Sequence, residues 1–123
     1  MAIIILDIGQ CGFDGPRMER LWREKLGAKV DRCPSGEHAL SLVKQNSYNI
    51  ILVNRILADD GSSGLDVIRD LLAAGTATPI MLVSDRSDAQ DAAVALGAVR
   101  GFGKAELGAP ETLALVKSIA QRE

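Results

Sequence analysis

The chain has 123 residues, 47% of them hydrophobic and 24% charged, with a formal net charge of −2 at pH 7. That length and balance fit one globular domain, 1–123, with apolar side chains enough for its own core and no internal repeat. Its 14 Lys and Arg are scattered among 16 Asp and Glu, which argues against a nucleic-acid or anionic-membrane surface, because such surfaces need clustered cations.

The chain opens Met-Ala-Ile-Ile-Ile-Leu-Asp, without the basic start and small-residue cleavage site of a signal peptide. No apolar run approaches a membrane span, so a cytoplasmic protein is expected. Residues 3–6 read as a strand buried on both faces. Residues 17–26 follow as a helix with Met18, Leu21 and Trp22 on one face. Residues 28–30 are a weaker strand candidate, at a sheet edge or in an extended link. Ser35 is placed to N-cap a helix over 37–44 that turns Leu40 and Val43 inward. A second continuous strand is expected over 49–53, then a helix over 65–73 closed by Gly75. Residues 80–83 form the third continuous strand. Ser87 followed three residues later by Gln90 reads as a capping box opening a helix over 89–96. Residues 100–103 are the other weaker strand, and Pro110 opens a last helix running to about 121.

Strands alternating with helices in this way predict an α/β fold of (βα)5 type, with a parallel sheet, right-handed crossovers and helices on both faces. In such folds a site forms at the carboxyl ends of the strands. Asp7, Asn54, Ser84 and Lys104 stand there. Singly, each is what any strand end emerging into a polar loop looks like. Together they suit a phosphoryl group, with Lys104 and Ser84 binding its oxygens and Asp7 contributing to a cation site.

The order and spacing of these residues resemble the receiver domain of bacterial two-component response regulators over nearly the full length. That family ends its third strand with the phosphoacceptor aspartate, its fourth with Thr or Ser, and its fifth with a Lys usually followed by Pro. Here IILVN supplies Asn54, PIMLVSD supplies Ser84 and GAVRGFGKAEL supplies Lys104. Gly64-Leu65-Asp66-Val67 resembles the start of the family's third helix, and Gly97-Ala98 the pair before its fifth strand. The resemblance implies a flavodoxin-like, CheY-like three-layer sandwich with five parallel strands in the order 2-1-3-4-5.

The departures from the family pattern carry as much as the matches. Asn54 stands in the acceptor's place, and an amide cannot form an acyl phosphate because its nitrogen lone pair is delocalised and its oxygen is uncharged. The family's acidic pair is reduced to Asp7, so magnesium would meet one carboxylate where the family offers three. Asp7 is the only remaining candidate ligand, and binding is expected to be weak or absent, with no cofactor. The loop RILADDGSSG is two residues longer than the family's and has Ala58 for its usual proline. Asp59 and Asp60 read there as a solvated turn, not as displaced acceptors. Gly101 occupies the position of the switch aromatic, Phe102 is assigned to the core, and Ala105 follows Lys104.

The resemblance and its losses together imply a stand-alone, phosphorylation-independent pseudo-receiver. It would not be an enzyme, and would act in bacterial signal transduction through protein contacts. The Asn54 carboxamide is expected either to hydrogen-bond Lys104 and Ser84 or simply to cap its strand. By the family's habit, the partner face lies on the stretches 88–96, 100–102 and 110–120, which start at Asp88, Arg100 and Pro110 and end at Leu96, Phe102 and Ala120.

The alternative is an enzyme. CGFDGPR, from Cys11 to Arg17, has the cysteine-to-arginine spacing of proteins resembling low-molecular-weight tyrosine phosphatases. Against it, Asp14 would repel the substrate, Pro16 lacks an amide donor for a phosphate cradle, and Met18 replaces the hydroxyl residue that supports the thiolate. Cys11 and Cys33 are read as reduced thiols, with no zinc-ligand pairing. His38 is read as solvated and Trp22 as core.

Overall fold

Apolar runs and amphipathic segments alternate through the whole chain in a computed structural model that describes residues 2–121. They form β1 (Ile4–Ile8), α1 (Asp14–Leu26), β2 (Lys29–Cys33), α2 (Gly36–Gln45), β3 (Ile50–Asn54) and α3 (Gly64–Ala73). Then come β4 (Ile80–Val83), α4 (Ser87–Leu96), β5 (Val99–Phe102), a short 3₁₀ turn over Lys104–Glu106 and α5 (Pro110–Ala120). The five strands make one sheet in the order β2-β1-β3-β4-β5, and every pairing is parallel. The two strands weakest in sequence, β2 and β5, are the two edges, where one side of a strand need not be apolar.

Two cores flank the sheet. On one side Ile8, Ile51 and Leu82 meet Ala39 of α2, Ile68 and Leu71 of α3 and Ala93 of α4. On the other, Ile5, Leu52 and Met81 meet Met18 and Trp22 of α1 and Val116 of α5. Trp22 is fully buried and packs edge-on against Phe102 at 5.7 Å between ring centroids, which gives both aromatics the packing role read from sequence. Alternation along β1, β3 and β4 therefore serves both faces, and only a three-layer sandwich satisfies it.

Most helix signals fall where expected. Ser35 caps α2 by accepting from the His38 backbone N–H at 3.2 Å, and Pro110 stands in the first turn of α5. Two expectations need correction. α1 starts at Asp14 rather than residue 17, because Pro16 lies in the first turn, where its missing N–H has no intrahelical partner to lose. At α4 the cap position is Arg86, and Ser87 is already helical. Gln90 is not a capping partner but is buried against the sheet.

Gln90 repairs a defect in that sheet. Met81 pairs with Val99 but Val83 with Phe102, so β5 carries one residue more than β4 between those rungs, a bulge. The Gln90 side chain fills the broken rung. Its Nε2 donates to the Leu82 carbonyl at 2.9 Å and to the Ser84 carbonyl at 3.1 Å, while its Oε1 accepts from the Gly101 N–H at 2.9 Å. Gly101 lies so close to the Leu82 carbonyl that a Cβ there would overlap it. No side chain, aromatic or other, fits that position without moving β5 away from β4.

Candidate functional site

In the order β2-β1-β3-β4-β5, the chain winds outward in opposite directions from β1 and β3, and a crevice opens where their following loops part. Here those loops are stitched together. Gly9, after β1, accepts from the Ala58 N–H at 3.0 Å. It adopts a φ of +80°, and a side chain on it would collide with Leu57, which is wholly buried. The long loop after β3 folds back on itself: Leu57 N–H donates to the Ser62 carbonyl, Ile56 bridges Ser63, and Gly64 N–H donates to the Arg55 carbonyl. Asp60 Oδ1 accepts from the Ser62 N–H at 2.9 Å, and both Asp59 and Asp60 are exposed. The pair forms a solvated turn, as read from sequence.

Asn54 is the last residue of β3. Its Nδ2 donates to the Ile56 carbonyl at 2.8 Å and to the Gly9 carbonyl at 3.2 Å, using both amide protons on the backbone of the two loops. Ser84 follows β4, and its hydroxyl accepts from the Arg86 N–H at 3.1 Å. Lys104 reaches Asp14 at the start of α1, with Nζ 2.8 Å from Oδ2. Asp14 also accepts from Arg17 at 3.0 Å and from the Cys11 thiol at 3.5 Å. Lys104 foremost holds the Asp14 carboxyl below the usual carboxylate range, with Arg17 and Cys11 helping and partial burial opposing.

Asn54, Ser84 and Lys104 thus line one cleft of about 320 Å³. The expected hydrogen-bonded cluster among them does not form. The amide protons of Asn54 face carbonyl oxygens, and the ammonium of Lys104 has a carboxylate, a stronger partner than an amide or a hydroxyl.

Asp7 stands apart, in a neighbouring cleft of about 190 Å³ with Gln10, Arg32 and Cys33. Only 1% of it is exposed. Its Oδ1 accepts from Gln10 Nε2 at 3.1 Å, while its Oδ2 and Gln10 Oε1 have no partner among the described residues. Burial raises its carboxyl to about 7, against the pull of Gln10, Arg32 and Lys104. Beside β1, Cys33 is buried as well, and burial pushes its thiol up to about 11.

The donor set at this end of the sheet suits a hard cation poorly. Such an ion wants several anionic or carbonyl oxygens, but Asn54 presents N–H groups to the two carbonyls nearest it. Asp14 is held by Lys104 and Arg17, Asp85 accepts from the Ala105 N–H, and Asp7 stands in the separate cleft. Among the described residues no three His, Cys, Asp or Glu side chains come together to hold a metal.

The segment from Cys11 to Arg17 gives the phosphatase alternative no support. α1 begins inside it, Arg17 is paired with Asp14, and its guanidinium lies 5.6 Å from the Phe13 ring centroid. The Gly15 N–H donates to the Cys11 carbonyl and the Asp14 N–H to the Cys11 sulfur. Two of the amides that would cradle a phosphate are already engaged. Cys11 and Cys33 are free cysteines.

Sequence reading missed Asp14, Gln90 and Arg55 as parts of this region. Asp14 had no signal beyond its charge, and its partner lies far along the chain. Gln90 offered one, a polar residue at an inward position of a helix otherwise buried through Ala89 and Ala93.

The fold is a doubly wound five-stranded parallel sheet with Asp7, Asn54, Ser84 and Lys104 at one end. The chain matches the response regulator receiver domain model over residues 3–104 and belongs to that family. It is 35% identical over 72 residues to the two-component response regulator PhoP of Pseudomonas aeruginosa, a match spanning 58% of this chain and 31% of that protein. Among solved structures, it is similar to the receiver domain of the Francisella response regulator 1452, with a TM-score of 0.82 and 17% identity over 98% of both chains. A putative response regulator from Chloroflexus aurantiacus matches with a TM-score of 0.82 and 22% identity, over 99% of this chain and 100% of that one. A Burkholderia pseudomallei response regulator bearing a phosphorylated aspartic acid and calcium matches with a TM-score of 0.74 and 21% identity, over 97% of this chain and 66% of that one. No helix among the described residues is long and apolar enough to cross a membrane.

Proposed function

We propose that this receiver domain is closed to phosphoryl transfer, and that it serves two-component signalling through protein contacts made without phosphorylation. The observation that carries this reading is the Asn54 amide, whose two protons tie the carbonyls of Gly9 and Ile56. A carboxylate only accepts hydrogen bonds, so the backbone around position 54 is arranged for an amide and against an acceptor aspartate. Lys104, turned to Asp14, and Gly101, with no room for a switch aromatic, agree with it. The Burkholderia regulator, with its phosphorylated aspartic acid, displays the chemistry that this chain has set aside. The domain is not an enzyme in this reading, and its partners are proteins of the signalling pathway. They meet the face of α4, β5 and α5, where Val94 and Leu96 are exposed.

The test is incubation with acetyl phosphate and magnesium, read by intact-mass spectrometry. No phosphoryl adduct is expected under conditions that fully load an aspartate-bearing receiver. An adduct abolished by replacing Asp59 and Asp60 would show an acceptor displaced into the loop and would overturn the proposal.

A further inference from the structure

The cleft beside Asn54 does not end there. A second hollow of about 270 Å³, between the folded-back loop and the first turns of α4, shares Arg55, Ile56 and Arg86 with it. The two are one trough. Its cleft end is polar, around Ser84 and Arg55, and its far end sets the apolar side chains of Ile56, Leu65, Ala89 and Ala92 beside Ser63 and Asp88. Ile56 is 42% exposed at the junction of the two hollows.

Charge singles out the cleft end. On a chain of net charge −2, Arg55, Arg86 and Lys104 line it with Asp85, whose Oδ1 is occupied by the Ala105 N–H at 3.2 Å. Lys104 is paired with Asp14 and Arg86 with Asp88. Arg55 is half-buried in the trough, and its guanidinium has neither a salt bridge nor a hydrogen bond among the described residues. An unpaired guanidinium in a polar cleft is a fork waiting for a carboxylate.

We infer that this trough binds an extended peptide of a protein partner, with an Asp or Glu carboxylate on Arg55 and a following apolar side chain between Ile56 and α4. The inference rests on the proposed reading of position 54. An acyl phosphate there would set a doubly charged group at the mouth of the carboxylate pocket, whereas the neutral Asn54 leaves the Arg55 guanidinium available. The partner would thus deliver in trans the negative charge that the chain lacks at the end of β3.

The experiment uses two pooled libraries of acetylated tripeptide amides, Glu-X-X and Gln-X-X, with X drawn from Leu, Ile, Val, Phe and Met. Each is titrated into the full chain by amide NMR, on protein shown by intact mass to carry no phosphoryl group. Failure here is therefore separate from failure of the phosphodonor test. The Glu pool should shift amides at Arg55, Ile56, Arg86 and Ala89, and bind at least tenfold more tightly than the Gln pool. Arg55→Gln should remove that difference, and Arg55→Lys should restore part of it. The Arg55 side chain bonds nothing among the described residues, so both variants should keep the spectrum of a folded domain. Equal shifts from the two pools, unchanged binding in Arg55→Gln, shifts confined to other faces, or displacement of the Glu pool by equimolar inorganic phosphate would each overturn the assignment.

Discussion

Lys104 and Asp14 meet at 2.8 Å across 90 residues of sequence, joining the turn after β5 to the first residue of α1. The Lys104 side chain is 28% exposed and that of Asp14 18%, so the pair is less screened than an ordinary surface bridge. It fixes the rim of the cleft and draws the lysine away from Asn54. A double-mutant cycle on Asp14→Asn and Lys104→Met should give a coupling of about 1 kcal/mol in urea unfolding. Because the folded Asp14 carboxyl lies below its unfolded value, this stability is present above the unfolded pKa of about 3.9 and is lost as pH falls through the lower folded one. A coupling near zero at neutral pH would mean that the contact is incidental.

Asp7 should titrate with the opposite sign. Burial raises its folded carboxyl to about 7, so folding favours the protonated acid. Its contribution is full below the unfolded pKa of about 3.9 and disappears as pH rises through the folded one. Wild type should therefore lose stability relative to Asp7→Asn between pH 4 and pH 8, by on the order of a few kcal/mol. Urea unfolding of both proteins across that window measures it, and parallel curves would refute the account.

Gln90 shows what substitutes for a missing rung in a sheet. In Gln90→Ala, the Leu82 carbonyl and the Gly101 N–H lose their partners inside the fold, at a cost of about 3 kcal/mol. Gln90→Glu keeps the acceptor for Gly101 but loses the donor to Leu82 and Ser84, and should also destabilise. Hydrogen exchange at Gly101 should quicken in both variants before the centre of the sheet is affected. Exchange unchanged at Gly101 would show that the bulge is held by something else.

The division between what the sequence disclosed and what it hid follows the range of the interactions. The apolar runs of β1, β3 and β4 announced themselves because they are buried on both faces. Ser35 and Pro110 did so because a cap is decided within one helical turn. The positions of Asp7, Asn54, Ser84 and Lys104 followed from the topology, which sends every parallel strand to the same end. Their partners did not follow. Asn54 bonds main-chain carbonyls, which carry no residue identity, and Lys104 bonds an acid with no periodic relation to it. The capping-box reading of Ser87 and Gln90 failed for a similar reason. A glutamine three residues after a serine serves a helix start or a sheet defect equally well, and only the bulge at Gly101 decides between them.

Position 54 offers the harshest test of how the crevice is built. In Asn54→Ala two hydrogen bonds to loop carbonyls vanish, with a loss of about 1 to 2 kcal/mol. Asn54→Asp removes the same bonds and sets a carboxylate against the carbonyl oxygens of Gly9 and Ile56. Restoring the family's acceptor should therefore destabilise the domain more than deleting the side chain does. Two conditions should narrow the gap. Below about pH 4 the new carboxyl is protonated and regains one donor. At millimolar calcium or magnesium, a cation can sit between the carboxylate and the carbonyls, because hard ions accept both oxygen types. Melting temperatures of wild type, Asn54→Ala and Asn54→Asp, with and without divalent cation, check the ordering. If Asn54→Asp melts with wild type at neutral pH in the presence of chelator, the loops do not depend on an amide donor, and the asparagine is a replacement that the surrounding backbone never required.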